Sequence, residues 1–529
     1  MESIAVLLKT HPQGEQVLEA IMRGGRWPVD TPGGRFFAQW ETKAPVTREG
    51  QLMFFFQFLH AGARWEEFLR ECPLFYTGNR GSGAVNVMGA ILLSVLCGHW
   101  RYVHINSVRG DRLNPTLLGM AGTVSEDAVR AALRRMDETR SLKWLQGQIL
   151  ESIQPVLMLP WILDIDTTVK SLYGHQQGAQ LGYNPHKPGR PSHVYHSYFV
   201  ANLRISLGVE VRPGKEHGAA LGMPGLWEML EKLPRSHWPT FARADCAYGN
   251  EGIMLGFEQR GLPYLFKLRR TPKVKTLVQM LLGQGARWRD AGEGWEAIEA
   301  SIRLSGWSKT RRLVLVRESP AQAPVGDKAR RRRDPHAMKG AQGAGWDSQA
   351  TPWSGKIAVL VTSLDEQSYP TVCMPGLYRN RGDAENVYDE LKNQWGWNGY
   401  TTRQLAPSRI MANLGALFYN WWNLYVRFYD AEHHREAITS RPALMQGVAR
   451  QVQSAGQSTV KVSLLHEYRE DIAVAVTLTS RQLQEMNSIT ERWTPTQKWT
   501  LLLTQLLRPL LGGKWLPGLP PEARLLLSG

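Results

Sequence analysis

The sequence has little cysteine and no long uninterrupted apolar run. Its four cysteines form no CxxC pair and show no zinc-ligand spacing, which argues against a disulfide framework and a cysteine-based zinc site. The apolar run Val85–Cys97 is too short to span a bilayer, and Ile410–Tyr429 is interrupted by three asparagines and an arginine. The first residues lack the basic segment, long apolar segment and cleavage site of an export signal. We therefore expect reduced thiols, no membrane span and a cytoplasmic location.

Basic residues, in contrast, are in excess. The chain of 529 residues carries 63 Lys and Arg against 47 Asp and Glu, a formal net charge of +16. Such a balance attracts polyanions, among which nucleic acid is the commonest partner. An apolar content of 43% is that of a folded globular protein, and the length exceeds one ordinary core. We expect about two to four domains.

Residues 1–146 are mostly helical and form a candidate DNA-binding region. The predicted helix Ser125–Met136 begins with a serine cap and carries Arg130 and Arg134. Short helices followed by an arginine-bearing helix are compatible with a helix-turn-helix DNA reader. A packed helical bundle with a solvated basic face fits equally well, because the turn lacks a diagnostic spacing.

The order of the predicted strands and helices in residues 147–270 indicates the fold of this region. Three strands meander, and helix and strand then alternate, which is the order of an RNase H-like core. The fold class we predict is α/β: an RNase H-like (retroviral integrase-like) catalytic core, interrupted by a β-rich insertion, between helical N-terminal and C-terminal regions. The five predicted core strands are Trp161–Ile165, Ser197–Ile205, Gly208–Arg212, Pro239–Ala244 and Tyr264–Leu268.

The predicted insertion covers residues 271–375. It contains a basic, Gly/Ala/Gln-rich loop at 326–350 that we expect to be disordered. The core resumes over 376–430 with a helix, and 431–529 form the helical C-terminal region. The strands expected in the insertion are Trp295–Leu304, Arg311–Arg317 and Ile357–Thr362.

Two carboxylates lie in the first core strand, which is otherwise built for burial. Strand alternation places Asp164 and Asp166 on the same face. Burying them is costly unless a cation pairs with them or they coordinate a metal. Asp245 follows the fourth core strand, which neighbours the first in an RNase H-like sheet. Asp166 and Asp245 are therefore expected to lie side by side.

A third carboxylate, Glu385, lies in the segment YRNRGDAENVYDELK, which is predicted to begin a helix. On its own this segment also fits a solvated charged helix. A helix packed over the same edge of the sheet would bring Glu385 to the two aspartates. Oxygen ligands favour Mg²⁺ or Mn²⁺, and two such ions clamp the attacking and leaving oxygens of a phosphoryl transfer. The spacing Tyr-x2-Arg-x3-Glu-x6-Lys is formed by Tyr378, Arg381, Glu385 and Lys392.

Four blocks occur in the order DIDTT, GYNPHKPGRPSH, RADCAYG and YRNRGDAE. Together they resemble bacterial insertion-sequence DDE transposases with a Y-R-E-K signature, of the insertion-sequence-four superfamily and its thirteen-eighty branch, over roughly residues 150–430. By this resemblance Asp166, Asp245 and Glu385 are the catalytic and metal-binding carboxylates. Asp166 is preferred because it directly precedes two threonines, while Asp164 stays open as a supporting group or the ligand itself.

The resemblance implies a bacterial cut-and-paste transposase that works in the cytoplasm in association with the nucleoid. Such an enzyme binds double-stranded DNA at terminal inverted repeats, assembles as a homodimer, and joins a freed 3′-hydroxyl to target DNA, commonly through a hairpin at the transposon end. It implies two Mg²⁺ ions, for which Mn²⁺ can substitute. Tyr378, Arg381 and Lys392 would contact phosphates beside the scissile bond.

Two further features bear on DNA contact. The turn-rich loop of GYNPHKPGRPSH is basic and is expected to be exposed, so Lys187 and Arg190, with His186 and His193, are predicted to contact the DNA backbone; a rigid turn joining two strands is the alternative. A flipped base would need an aromatic platform. The candidates for that platform are Trp288, Trp295 and Trp307, although each also fits a core position.

Two other functions fit the same residues. One is a transposase-derived DNA-binding protein without strand transfer, against which the three intact carboxylates argue. The other is a metal-dependent nuclease that cleaves DNA without joining it.

Overall fold

The structure, a computed structural model, describes residues 14–41, 44–76, 82–185, 187–283, 285–319 and 356–520, together with residue 523. The predicted basic loop at 326–350 and His186 lie outside the described residues. The helices are α1 (Gly14–Met22), α2 (Leu52–Ala61), α3 (Arg64–Arg70), α4 (Ala84–Leu96), α5 (Ile105–Val108), α6 (Leu113–Leu117), α7 (Glu126–Arg135), α8 (Glu138–Glu151), α9 (Ala219–Glu231), α10 (Glu251–Gln259), α11 (Pro272–Gly283), α12 (Met374–Arg379), α13 (Gly382–Gln394), α14 (Leu405–Val426), α15 (Ala437–Leu444), α16 (Arg469–Ile489) and α17 (Pro495–Leu506).

Most strands belong to one large mixed sheet, so the protein is a mixed α/β structure. A hairpin and a small three-stranded sheet lie apart from it. The strands are β1 (Arg26–Thr31), β2 (Gly34–Gln39), β3 (Val46–Thr47), β4 (Ile162–Ser171), β5 (Gln180–Leu181), β6 (Pro191–Val200), β7 (Ile205–Pro213), β8 (Phe241–Ala244), β9 (Tyr264–Lys267), β10 (Arg289–Asp290), β11 (Trp295–Ile302), β12 (Arg311–Glu318), β13 (Ile357–Thr362), β14 (Val448–Ser454) and β15 (Gln457–Ser463).

The order of the large sheet is β10-β11-β12-β13-β9-β8-β4-β6-β5, and β7 also pairs with β6. Strands β7, β6 and β4 are antiparallel to one another in turn, whereas β8 runs parallel to β4 and β9 parallel to β8. The predicted meander followed by parallel strands is therefore observed. The first and fourth core strands are neighbours, as predicted.

The predicted bounds of the second core strand, Ser197–Ile205, are wrong. Strand β6 begins at Pro191, inside the segment expected to be an exposed loop, and a single turn of 3-10 helix then leads into β7. The sequence misled because β6 buries polar side chains: Ser192, His193 and His196 are all 0% exposed. His193 is accordingly not available for the DNA contact predicted for it.

The three strands predicted in the insertion exist and extend the core sheet. Strand β13 pairs antiparallel with β9, and β12, β11 and β10 continue outward from it. Helix α11 links β9 to these strands. The described part of the insertion thus adds strands to the edge of the same sheet.

Helix α14 is buried along almost its whole length, and it contacts α8 and β7. Two of the three asparagines that interrupt its apolar sequence bond to the backbone of β7. Asn420 accepts from Ser206 N at 2.9 Å and donates to Ser206 O at 2.7 Å, and Asn413 donates to Val209 O at 3.2 Å. These side chains pair backbone groups that β7, as an outer strand, leaves unpaired. Across the described ranges, no helix combines the length and apolarity that a bilayer crossing requires.

One hydrophobic core joins the helical regions to the sheet. It includes Leu52 and Phe58 of α2, Trp144 of α8, Ile165 of β4 and Trp499 of α17. The helices predicted as N-terminal and C-terminal regions therefore pack on the same core that supports β4 and β8.

Candidate active site

The two predicted aspartates lie at one place in the sheet. Strands β4 and β8 are paired in parallel, with Asp164 opposite Arg243 and Ile165 opposite Ala244. Asp166 directly follows Ile165, and Asp245 directly follows Ala244. Because both strands run in the same direction, the two carboxylates emerge side by side.

Arg381 connects Asp166 to the third carboxylate. Its Nη2 donates to Asp166 Oδ2 at 2.8 Å, and its Nη1 donates to Glu385 Oε1 at 3.3 Å. Arg381 is itself buried, with 7% of its surface exposed, whereas the Glu385 side chain is 71% exposed. One guanidinium therefore bridges a carboxylate of the sheet and a carboxylate at the solvent edge.

A backbone amide also donates to one oxygen of each aspartate. Asp166 Oδ1 accepts from Thr167 N at 2.8 Å, and Asp245 Oδ1 accepts from Ala247 N at 2.9 Å. These short local bonds fix the direction of each carboxylate at the end of its strand.

The pKa of Asp166 is raised to about 6. Burial is the largest cause, Arg381 opposes it, and the negative charges of Asp245 and Glu385 raise the pKa further. Asp245 and Glu385 are thus both close enough to Asp166 to influence it electrostatically. A divalent cation would relieve this mutual repulsion.

The chemistry of these side chains suits a hard cation, because all three offer oxygen ligands. Within the described residues, however, no three acidic, histidine or cysteine side chains are gathered closely enough to hold a metal ion. The cation that pairs with Asp166 and with Glu385 in this structure is the guanidinium of Arg381. By their donor atoms, the three carboxylates fit Mg²⁺ or Mn²⁺.

Asp164 has a different partner. Its two oxygens accept from Arg243 Nε and Nη2, both at 2.7 Å, and the side chains of this pair are 2% and 3% exposed. Arg243 also donates to Leu377 O, next to Tyr378. The cation that a structural role for Asp164 requires is therefore present. The sequence offered a signal for it, since Arg243 stands two residues before Asp245 in a buried strand.

The segment Tyr378–Lys392 is not one helix. Helix α12 ends at Arg379, and α13 begins at Gly382 with Arg381 at its N-cap. Val387 and Leu391, four residues apart on α13, form a buried apolar pair. This pair packs α13 on the core and leaves Glu385 at the surface.

A buried carboxylate that the sequence did not single out anchors α13. Glu390, 2% exposed, accepts from Trp395 Nε1 at 3.1 Å and from Ala437 N at 2.9 Å. Its other oxygen lies 2.7 Å from His434 Nε2. These contacts tie the helix that carries Glu385 to α15 and the loop before it.

Tyr378 and Lys392 flank the carboxylates. The Tyr378 hydroxyl donates to Ala244 O over a long 3.4 Å, next to Asp245, and its side chain is half-buried. Lys392 is also half-buried, and burial lowers its pKa while Asp389 and Asp166 raise it. Both side chains thus stand close to the carboxylate cluster.

The other predicted DNA contacts lie farther away. Lys187 and Arg190 are exposed and stand over the ring of Tyr173, at 4.8 and 4.9 Å from its centre. On α7, Arg130 donates to Glu126 Oε2 at 3.1 Å and stands over Tyr102, while Arg134 is exposed.

Two of the three candidate tryptophans have an arginine over the ring, and the third is buried. Arg317 lies 4.1 Å from the ring centre of Trp288, and Arg379 lies 5.4 Å from that of Trp295. Trp307 is only 7% exposed and belongs to the core.

Comparison with known proteins assigns the family. A family profile described as "Transposase DDE domain group 1" matches residues 114–439. No curated protein matches the chain. Among solved structures, a cryo-electron-microscopy structure of a piggyBac transposase synaptic complex with hairpin DNA is 12% identical, with a TM-score of 0.36 over 92% of this chain and 87% of that one; a likeness of this degree supports no further conclusion. Since the profile covers more than half of the sequence, the chain belongs to the transposases that carry a group 1 DDE domain.

Proposed function

We propose that the protein is a DNA transposase that cuts DNA at transposon ends and joins the freed 3′-hydroxyl to target DNA. The observation that carries this proposal is the convergence of Asp166, Asp245 and Glu385 at the ends of two parallel strands and the adjacent helix. The membership in a DDE-domain family agrees with it.

Asp166, Asp245 and Glu385 would hold Mg²⁺ or Mn²⁺, which when bound activates the attacking hydroxyl and stabilises the leaving oxygen. The protein's own part is to place the three carboxylates and to position the DNA backbone. Strand β4 and strand β8 fix the two aspartates, and the buried contacts of Glu390 fix the helix that carries Glu385.

DNA would approach the exposed side of Glu385. Tyr378, Arg381 and Lys392 would contact phosphates beside the scissile bond, Arg381 through its two-pronged guanidinium and Lys392 as a point charge. Lys187 and Arg190 would bind the duplex farther along, since both are exposed and cationic. On the N-terminal side, Arg134 is the exposed candidate for DNA contact, with Arg130 behind it.

We further propose an RNase H-like core formed by β7, β6, β4, β8 and β9. The order and directions of these five strands support this assignment. The four sequence blocks support a bacterial element of the insertion-sequence-four superfamily and its thirteen-eighty branch, active as a homodimer near the nucleoid and cutting through a hairpin. The net charge of +16 agrees with a DNA partner.

A strand-joining assay tests the proposal, with Mg²⁺ and a duplex copied from the DNA that borders the gene. Asp245→Asn and Glu385→Gln are expected to bind this duplex as the wild type does and to give no nicked product. Asp389→Asn is the matched control, because Asp389 is exposed on the same helix as Glu385. Nicking by either active-site variant at the wild-type rate would contradict the assignment.

The same assay separates the two alternatives. Binding by the wild type without any cleavage indicates a DNA-binding protein derived from a transposase. Cleavage without a joined product indicates a nuclease.

A further inference from the structure

Arg381 has the contacts of a counter-ion for the carboxylate cluster. Its guanidinium lies 2.8 Å from Asp166 and 3.3 Å from Glu385. Among the described residues its Nε is buried and has no hydrogen-bond partner. A buried donor of this kind is costly to leave unpaired. The arginine therefore has donor capacity that these carboxylates do not use.

We propose that Arg381 keeps the carboxylates of Asp166 and Glu385 from binding a divalent cation until a DNA phosphate draws its guanidinium away. The proposal rests on the function proposed above, and it concerns how that site is regulated. Arg381 then has two alternative partners, the carboxylates in the free protein and a phosphate in the DNA complex.

Charge and geometry favour this exchange. A guanidinium between two carboxylates occupies the space between their oxygens and repels a cation that approaches them. The fork of an arginine binds a phosphate through two parallel hydrogen bonds, so a phosphate can replace a carboxylate as its partner. Glu385 is 71% exposed, and a DNA backbone can therefore reach this side of the cluster.

The consequence is coupling between two ligands. If DNA removes Arg381 from the carboxylates, DNA raises the affinity for the metal, and the metal raises the affinity for DNA by the same factor. The free protein would then bind metal weakly.

The experiment measures Mn²⁺ binding by electron paramagnetic resonance in the absence of DNA, with the full chain. Arg381→Gln is expected to bind Mn²⁺ about tenfold to a hundredfold more tightly than the wild type. Arg379→Gln is the matched control. It removes the same charge two residues away, where the side chain is paired with Glu293, and it is expected to leave the affinity unchanged.

Two further arms complete the test. If Arg381→Gln does not fold, Arg381→Met replaces it; methionine keeps a flexible, unbranched side chain but removes the charge and the donors, so tighter Mn²⁺ binding is again expected. In the wild type, a duplex copied from the DNA that borders the gene is expected to tighten Mn²⁺ binding as well.

The outcomes separate the two proposals. One outcome is that the wild type, Arg379→Gln and the Arg381 variant bind Mn²⁺ with equal affinity, whereas Asp245→Asn does not bind it. This outcome supports the metal site and overturns the role of Arg381. Mn²⁺ binding that Asp245→Asn leaves intact places the ion elsewhere and overturns both proposals. Equal tightening by the Arg379 and Arg381 variants reduces the effect to net charge and also overturns the role of Arg381.

Discussion

The buried pair of Asp164 and Arg243 gives the sharpest prediction about the two aspartates of β4. Both side chains are almost inaccessible to water, and they share two hydrogen bonds of 2.7 Å. Asp164→Asn removes the negative charge and leaves Arg243 buried beside a neutral amide. Breaking a buried ion pair from one side typically destabilises a protein by about 3–5 kcal/mol. We expect the free energy of unfolding of Asp164→Asn to fall by about this amount.

Urea unfolding followed by tryptophan fluorescence measures this change, because many of the 20 tryptophans, among them Trp161 directly before β4, are buried and become exposed on unfolding. The matched control is Asp30→Asn in the hairpin of β1 and β2. There Asp30 forms the same two-bond pair with Arg35, but both side chains are largely exposed. Exposed pairs contribute little, so the control is expected to unfold like the wild type. Unchanged stability of Asp164→Asn together with lost DNA cleavage would refute the structural role and make Asp164 a metal ligand.

Three further predictions concern other residues. Glu390→Ala leaves three buried donors without an acceptor and is expected to lower the free energy of unfolding by about 3 kcal/mol or more, measured by urea unfolding. Burial lowers the pKa of His193 to about 4, so the unfolded chain takes up a proton at a pH where the folded chain does not. The contribution of His193 to stability is complete above about pH 6.5 and falls by up to about 3 kcal/mol as the pH drops to 4. Since burial also lowers the pKa of His99 and His196, pH-dependent unfolding of His193→Gln is expected to show a loss that is smaller than that of the wild type by about this amount. Lys187→Ala and Arg190→Ala are each expected to reduce the slope of log affinity against log salt by about 1 in a DNA-binding titration, whereas unchanged slopes would show that this loop does not contact the backbone.

Local pattern was enough to predict much of the sheet. Alternation in the first core strand placed Asp164 and Asp166 on one face, and both side chains do approach the segment around α12 and α13, through Arg243 and Arg381. The strands of the insertion also follow from apolar runs with β-branched residues. Each of these features is determined by residues that lie close together in the sequence.

Other features depend on partners distant in the sequence. The polar start of β6 resembles a loop, yet His193 is buried there. Its Nε2 lies 2.9 Å from Gln177 O, which gives the buried ring a polar partner. The role of Glu390 depends on Ala437 and His434, which belong to another helix and its preceding loop. No periodicity records such pairs, because each residue alone looks like an ordinary member of its own element.

Asp164 and Asp166 of β4 differ in how firmly their arginine partners are held. Arg243 lies on β8, in register with Asp164, so its contact with that carboxylate is fixed by the pairing of two buried strands. Arg381 lies at the junction of α12 and α13, and it reaches Asp166 from a different element. A cation held by strand register cannot leave without disturbing the sheet, whereas one at a helix junction can change partner through its own side chain. Asp164 is therefore suited to hold the sheet together, whereas Asp166 is the aspartate whose counter-ion, in our proposal, gives way to a metal.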